Sequence, residues 1–97
     1  MEKINLGFDK KVLLKAFRKC KTKQDLIDFL DDLFTEEEIL DLAQRLKIAK
    51  LIIEGKTYEE ISPEVGTSTS TVSKIGQIIK FGKGSFLKIF SMGGEKL

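Results

Sequence analysis

The stretch "TEEEILDLAQRLKIAKLIIEG", residues 35–55, constrains the fold more than any other part of the chain. It opens with a helix-start signal. Thr35 is the cap, Glu38 stands three residues on to close a capping box, and three glutamates occupy the turn where the helix dipole favours negative charge. The helix runs to about Glu54. Gly55 stops it, as a residue suited to the left-handed conformation that follows a helix end. Ile39, Leu42, Ala43, Leu46 and Ile53 form one apolar stripe, and Leu40, Ile48, Leu51 and Ile52 add apolar side chains outside it. A helix apolar over most of its circumference is generally buried. A chain of 97 residues has little material to surround it, and a core this small is marginal alone. An intertwined dimer would supply the missing cover.

The rest of the chain also reads as helical. Residues 1–8 are expected as a loose arm. Asp9 is a cap for a helix through "KKVLLKAFRKC", with Leu13, Leu14 and Phe17 on one side. Thr22 is the next cap, with Asp25 three residues on, and Leu26, Phe29, Leu30 and Leu33 follow at helical spacing. Thr57 and Glu60 start a short helix that ends near Val65–Gly66. Pro63 inside it removes a backbone hydrogen bond and crowds the preceding turn. Either that helix is kinked, or it ends at Ile61 with Ser62 capping a second turn. Ser68 caps the next helix, which carries Val72, Ile75 and Ile79 toward the core. Gly82 and Gly84 end it, and "SFLKIF" makes a last short one. Alternation at period 2 never lasts beyond a few residues, so no strand is predicted. The expectation is an all-α chain of about six helices in one domain, residues 1–97.

Composition excludes several functions. Hydrophobic residues make up 41% and charged residues 33%, the balance of a globular chain. No apolar run approaches the ~20 residues that span a bilayer, and "MEKINLGFDKK" lacks the apolar stretch of a signal peptide. Cys20 is alone, which precludes an intrachain disulfide and suits a cytoplasmic location. With one cysteine and no histidine, neither a zinc site nor histidine acid–base chemistry is expected. With Cys20 between Lys19 and Lys21 at a helix end, only an unusual cysteine or lysine chemistry remains. The chain is therefore not expected to be an enzyme or to hold a cofactor.

Net charge is only +2, but it is sorted along the chain. Residues 25–64 carry four basic and twelve acidic groups, whereas residues 65–94 carry Lys74, Lys80, Lys83 and Lys88 and no acid. That acid-free segment opens with "GTSTSTVSK", which holds Thr67, Ser68, Thr69, Ser70 and Thr71 in succession. Ser and Thr cap helices everywhere, and one or two would need no further reason. Five at one helix start, followed only by lysines, suit a helix that meets DNA. Hydroxyls bond to phosphates and to either kind of base edge, and free amides at a helix N-terminus favour a phosphate. Residues 57–80 have the layout of a helix–turn–helix, with a first helix over Tyr58–Val65, a turn at Gly66 and a second helix over about Thr69–Lys80. Ile61, Val65, Val72 and Ile75 would pack the two together. Thr69, Ser70 and Ser73 would face outward.

"LFTEEEILDLAQRLKIAKLIIEGKTYEEI…VGTSTSTVSK" resembles the Trp repressor family, most of all its Trp-repressor-like branch of short bacterial proteins. The likeness covers roughly residues 22–91, and "IKFGKGSFLKIF" is similar to the glycine-broken tail of that branch. The resemblance implies an all-helical, intertwined homodimer with one DNA-reading head per subunit. The head is the helix–turn–helix of about residues 57–80, and the dimerisation core covers about 9–54 and 85–91. It implies DNA contacts at Ser68, Thr69, Ser70, Thr71 and Ser73, with Lys74 alongside.

The family's tryptophan pocket carries over in part. Thr35 and Arg45 stand where the family has its pocket threonine and one of two pocket arginines, and Lys74 replaces the second arginine. Ile75 and Ile78 stand at a family glycine and serine, where they are expected to fill the space the indole needs. The expected effector pocket is therefore Thr35, Arg45 and Lys74, with L-tryptophan an unsuitable occupant. Arg45 has an equal alternative, an ion pair with an acid such as Asp41 in an exposed or dimer-interface position.

The expected function is a sequence-specific transcriptional regulator, a repressor acting as a dimer on a pseudo-palindromic operator in double-stranded DNA, with no membrane partner. The alternative is a helical dimeric protein-interaction module with a vestigial DNA-binding head. Near-zero net charge and the absence of arginine from the head support that alternative, because arginine is the commonest specific base reader.

Overall fold

The computed structural model describes residues 6–91. These form α1 (Leu6–Arg18), α2 (Lys23–Leu33), α3 (Glu36–Ile53), α4 (Tyr58–Val65), α5 (Thr69–Phe81) and α6 (Ser85–Phe90), with no strand among the described residues. The chain divides into two compact units at Ile39–Leu40, inside α3.

In the first unit, α1 begins at Leu6. Residues 6–8 of the expected arm are thus helical, and residues 1–5 lie outside the described residues. Asp9 falls in the first turn instead of capping it. There it still complements the positive end of the helix dipole, as Lys15 and Arg18 complement the other end. Thr22 caps α2 by accepting from the Asp25 amide at 3.0 Å, and the Asp25 carboxylate accepts from the Lys21 amide at 3.1 Å. The rings of Phe17 and Phe29 meet edge to face, with centroids 5.2 Å apart. Neither helix buries a residue. Leu6, Phe8, Val12 and Leu14 are more than half exposed.

The capping box at the start of α3 forms as the sequence predicts. Thr35 Oγ1 accepts from the Glu38 amide at 3.1 Å, and Glu38 Oε1 accepts from the Thr35 amide at 2.9 Å. At the other end Gly55 adopts φ of 96°. That left-handed residue lets the Gly55 amide reach the Ile52 carbonyl and the Lys56 amide reach the Leu51 carbonyl, at 3.0 and 3.1 Å. Two carbonyls at the helix end, otherwise without intrahelical partners, are satisfied in this way.

The second unit holds the core. Ile48 and Ala49 of α3, Ile61 of α4, and Val72 and Ile75 of α5 are buried, with Leu51, Ile52, Tyr58, Val65, Ile79, Phe86 and Phe90 packed around them. The burial of α3 is narrower than its composition predicts. The expected stripe of Ile39, Leu42, Ala43, Leu46 and Ile53 is not the buried side, since Ile48 and Ala49 are the buried residues of α3. Leu40 is 68% and Leu46 44% exposed. The other face packs onto α4 and α5.

Pro63 neither splits nor ends α4, which runs unbroken over Tyr58–Val65. Ser62 does not cap a second turn. Its amide carbonyl accepts from the Gly66 and Thr67 amides, both at 3.0 Å, and its hydroxyl donates to the Thr67 carbonyl. The proline is tolerated because a helix of eight residues has few interior bonds to lose.

Emptying the core should be far more damaging than removing a cap. Ile61→Ala is expected to cost about 2–5 kcal/mol of stability, and Thr35→Ala about 1 kcal/mol. Urea titration monitored by circular dichroism measures both, and equal effects would contradict the core described here.

Candidate nucleic-acid interface

The turn between α4 and α5 is made by Gly66, whose φ of 81° is strained for residues other than glycine. It delivers the chain to Ser68 in an extended conformation, and Ser68 caps α5. The Ser68 hydroxyl oxygen accepts from the Thr71 amide at 3.2 Å, and lies 3.0 Å from Ser70 Oγ and 3.1 Å from Thr71 Oγ1. Three of the predicted contact residues thus form one hydroxyl cluster. Ser68, Thr69 and Ser70 are exposed, Thr71 and Ser73 half-buried, and Lys74 exposed. Thr69 makes no side-chain hydrogen bond among the described residues, and the first turn holds no acid. All six predicted positions lie in the first two turns of α5 or at its cap.

Behind this turn lies an open cleft of about 410 Å³. Asp41, Gln44 and Arg45 of α3 form one wall, and Thr71, Lys74, Ile75 and Ile78 of α5 form the other. The α5 positions follow the three-to-four-residue spacing of one helix face. Arg45 and Lys74, predicted as a pair, do share this site. Thr35 belongs to the first unit, where it caps α3. The two isoleucines line the cleft but do not close it: Ile75 is 5% exposed and anchors α5 in the core, while Ile78 is 49% exposed. Asp41 and Arg45 share a wall without forming an ion pair. Among the described residues the ion pairs are Lys50–Glu54 at 4.0 Å and Lys56–Glu64 at 3.0 Å. With two cations against one carboxylate, the cleft is net positive.

The Lys56–Glu64 pair is a feature the sequence reading did not single out. It ties the loop after α3 to the last turn of α4. The hydrogen bond and charge of Glu64 hold the Lys56 ammonium above its ordinary pKa, with smaller help from Glu60 and Glu54. A raised lysine pKa contributes stability below the ordinary lysine range and loses it as pH rises through the folded value, so the tie is intact at neutral pH. It also neutralises a carboxylate close to the Gly66 turn. Gln44 and Gly76 were likewise not anticipated. Gly76 had a readable signal, as an isolated glycine inside a helical pattern.

Against known proteins, the Trp repressor protein family model matches residues 9–92. The chain belongs to the Trp repressor family. It is 36% identical over 74 residues to the uncharacterised protein YerC of Bacillus subtilis (strain 168), covering 76% of this chain and 71% of that protein. It is also similar to the crystal structure of a TrpR-like protein from Eubacterium eligens ATCC 27750. That likeness has 33% identity and a TM-score of 0.79, over 89% of this chain and 91% of the other. The Trp repressor family is one of DNA-binding regulators and not of enzymes. No described helix is long and apolar enough to cross a membrane.

The cap and the free hydroxyl should separate in a stability measurement. Ser68→Ala removes the bond to the Thr71 amide and is expected to cost about 1 kcal/mol. Thr69→Ala, with no such bond to lose, should stay within about 0.5 kcal/mol. Thermal unfolding of the two variants checks the difference.

Proposed function

We propose that this member of the Trp repressor family is a dimeric, sequence-specific DNA-binding regulator that acts as a repressor at a pseudo-palindromic operator. The first turn of α5 carries the proposal: exposed hydroxyls, free helix amides, no acid, and Lys74 one turn on. In a helix–turn–helix this is the part of the second helix that meets base edges and phosphates. Ser68 serves chiefly to hold the turn, Thr69 and Ser70 offer hydroxyls to the groove, and Lys74 offers charge to a phosphate. Lys56 supports the same role by masking Glu64. Double-stranded DNA and a second copy of the chain are the partners.

The dimer accounts for apolar surface that a single chain leaves in water. Leu40 at 68% exposed, Leu46 at 44%, and the outward residues of α1 and α2 would gain cover from another chain. Residues 9–54 and 85–91 are the proposed dimerisation core, which makes each pair of chains one intertwined domain. A different protein as the cover is the second reading, favoured by the same exposed residues. Light scattering at micromolar concentration separates the two: the proposal requires about twice 11.0 kDa, and a stable monomer of 11.0 kDa would contradict it.

Free L-tryptophan is not the effector in this proposal. Ile75 and Ile78 are larger than the glycine and serine that the family resemblance puts at those positions, and Ile75 is committed to the core. Arg45 and Lys74 remain able to take an anionic group, with Thr35 as a further pocket residue by resemblance. Calorimetric titration with L-tryptophan should show no binding at micromolar affinity. Binding together with a tryptophan-dependent gain in DNA affinity would contradict this.

DNA binding itself is tested by electrophoretic shift with random and selected genomic fragments at two salt concentrations. Lys74→Ala should weaken binding to all sequences and flatten the salt dependence. Ser70→Ala should change the preference among fragments, by roughly 1 kcal/mol where one base contact is lost. If both variants keep wild-type affinity and preference, α5 does not read DNA.

A further inference from the structure

Gly76 lies in the middle of α5 and is buried. Glycine inside a helix is unfavourable by roughly 1 kcal/mol relative to alanine. Backbone geometry gives no local reason for it, since its φ is not among the positive values found at Gly55, Gly66 and Gly84. The reason lies across the helix pair. A Cβ placed on Gly76 would come within 2.9 Å of Tyr58 Cζ and closer still to the phenol oxygen. Separations this short do not occur for ordinary side chains, so the phenol end of Tyr58 would have to move.

Tyr58 is the first residue of α4. It follows Thr57, whose hydroxyl caps the helix by accepting from the Glu60 amide at 3.1 Å. Its half-buried ring packs against the core. The phenol end of Tyr58 therefore rests in a notch that the missing side chain of Gly76 leaves in α5. At the other end of the same pair, Ile61, Val72 and the Gly66 turn fix the crossing. Thr69 is seven residues before Gly76, about 10 Å along the helix axis. A shift at the notch is carried to the hydroxyl turn by a rigid helix.

We infer that Tyr58 and Gly76 are positioning residues for DNA reading: the ring in its notch sets the approach of α4 to α5 and thereby the pose of Thr69, Ser70 and Lys74. This rests on the proposed DNA-reading role of α5. It adds a determinant outside the hydroxyl turn, made of two residues eighteen positions apart that touch no DNA themselves.

A double-mutant cycle tests it, with DNA affinity and thermal stability measured on the full chain for wild type, Gly76→Ala, Tyr58→Ala and the pair. The temperature is held well below every unfolding midpoint, so that only folded protein is compared. Gly76→Ala should lower DNA affinity by about tenfold or more, the scale on which touching residues couple. Tyr58→Ala should itself lower DNA affinity, since it removes the ring, and in that background Gly76→Ala should add little, because the alanine methyl then enters vacated space. Losses of DNA affinity that fail to add in the folded proteins are the outcome a purely structural role does not give. If either single variant lowers the midpoint but binds DNA as wild type does, or if the two losses add, the positioning role is overturned. Wild-type protein that binds no fragment would instead remove the DNA-reading role, and this inference with it. Wild-type binding with an unaffected Gly76→Ala removes this inference alone.

Discussion

The meeting of Ile48 and Ala49 with Ile61, Val72 and Ile75 is the contact on which the rest depends. Among the described residues these five are the whole buried apolar core. They join one face of the long helix to both helices of the head, so the hydroxyl turn of α5 is held on a rigid support. Everything at the candidate interface is placed by this contact. The cleft lies between α3 and α5, and Arg45 and Lys74 line it on the two helices that this contact joins. Burial worth several kcal/mol per large side chain outweighs any single surface pair near the site.

Most of the helices were legible in the sequence because their boundaries are chemical. Thr22, Thr35, Thr57 and Ser68 all cap the helices predicted for them, and Gly55, Gly66 and Gly84 take left-handed conformations at helix boundaries. The start of α1 was not legible from Asp9, because a carboxylate is favourable both as a cap and within the first turn. Pro63 was ambiguous for a related reason: a proline's penalty depends on how many interior bonds a helix has, which its own sequence does not state.

The face that α3 buries was harder to read. Composition shows that the helix is apolar nearly all round, but not which side a single chain covers. Ile48 and Ala49 win because they oppose Ile61, Val72 and Ile75, residues far along the chain. The candidate interface divides in the same way. Its hydroxyl turn could be read directly, since capping, lack of acid and charge sorting are local. The cleft walls, the Lys56–Glu64 tie and the Tyr58–Gly76 notch depend on contacts between distant segments.

In the proposed dimer two heads each present the start of α5 to successive turns of one face of DNA. Hydroxyl-radical footprinting on a fragment selected from the source genome tests this most directly. The expected result is two protected patches related by a two-fold axis, with centres about 10 base pairs or a multiple of that apart. A single patch without two-fold symmetry, or no protection at concentrations where the dimer is formed, would contradict it.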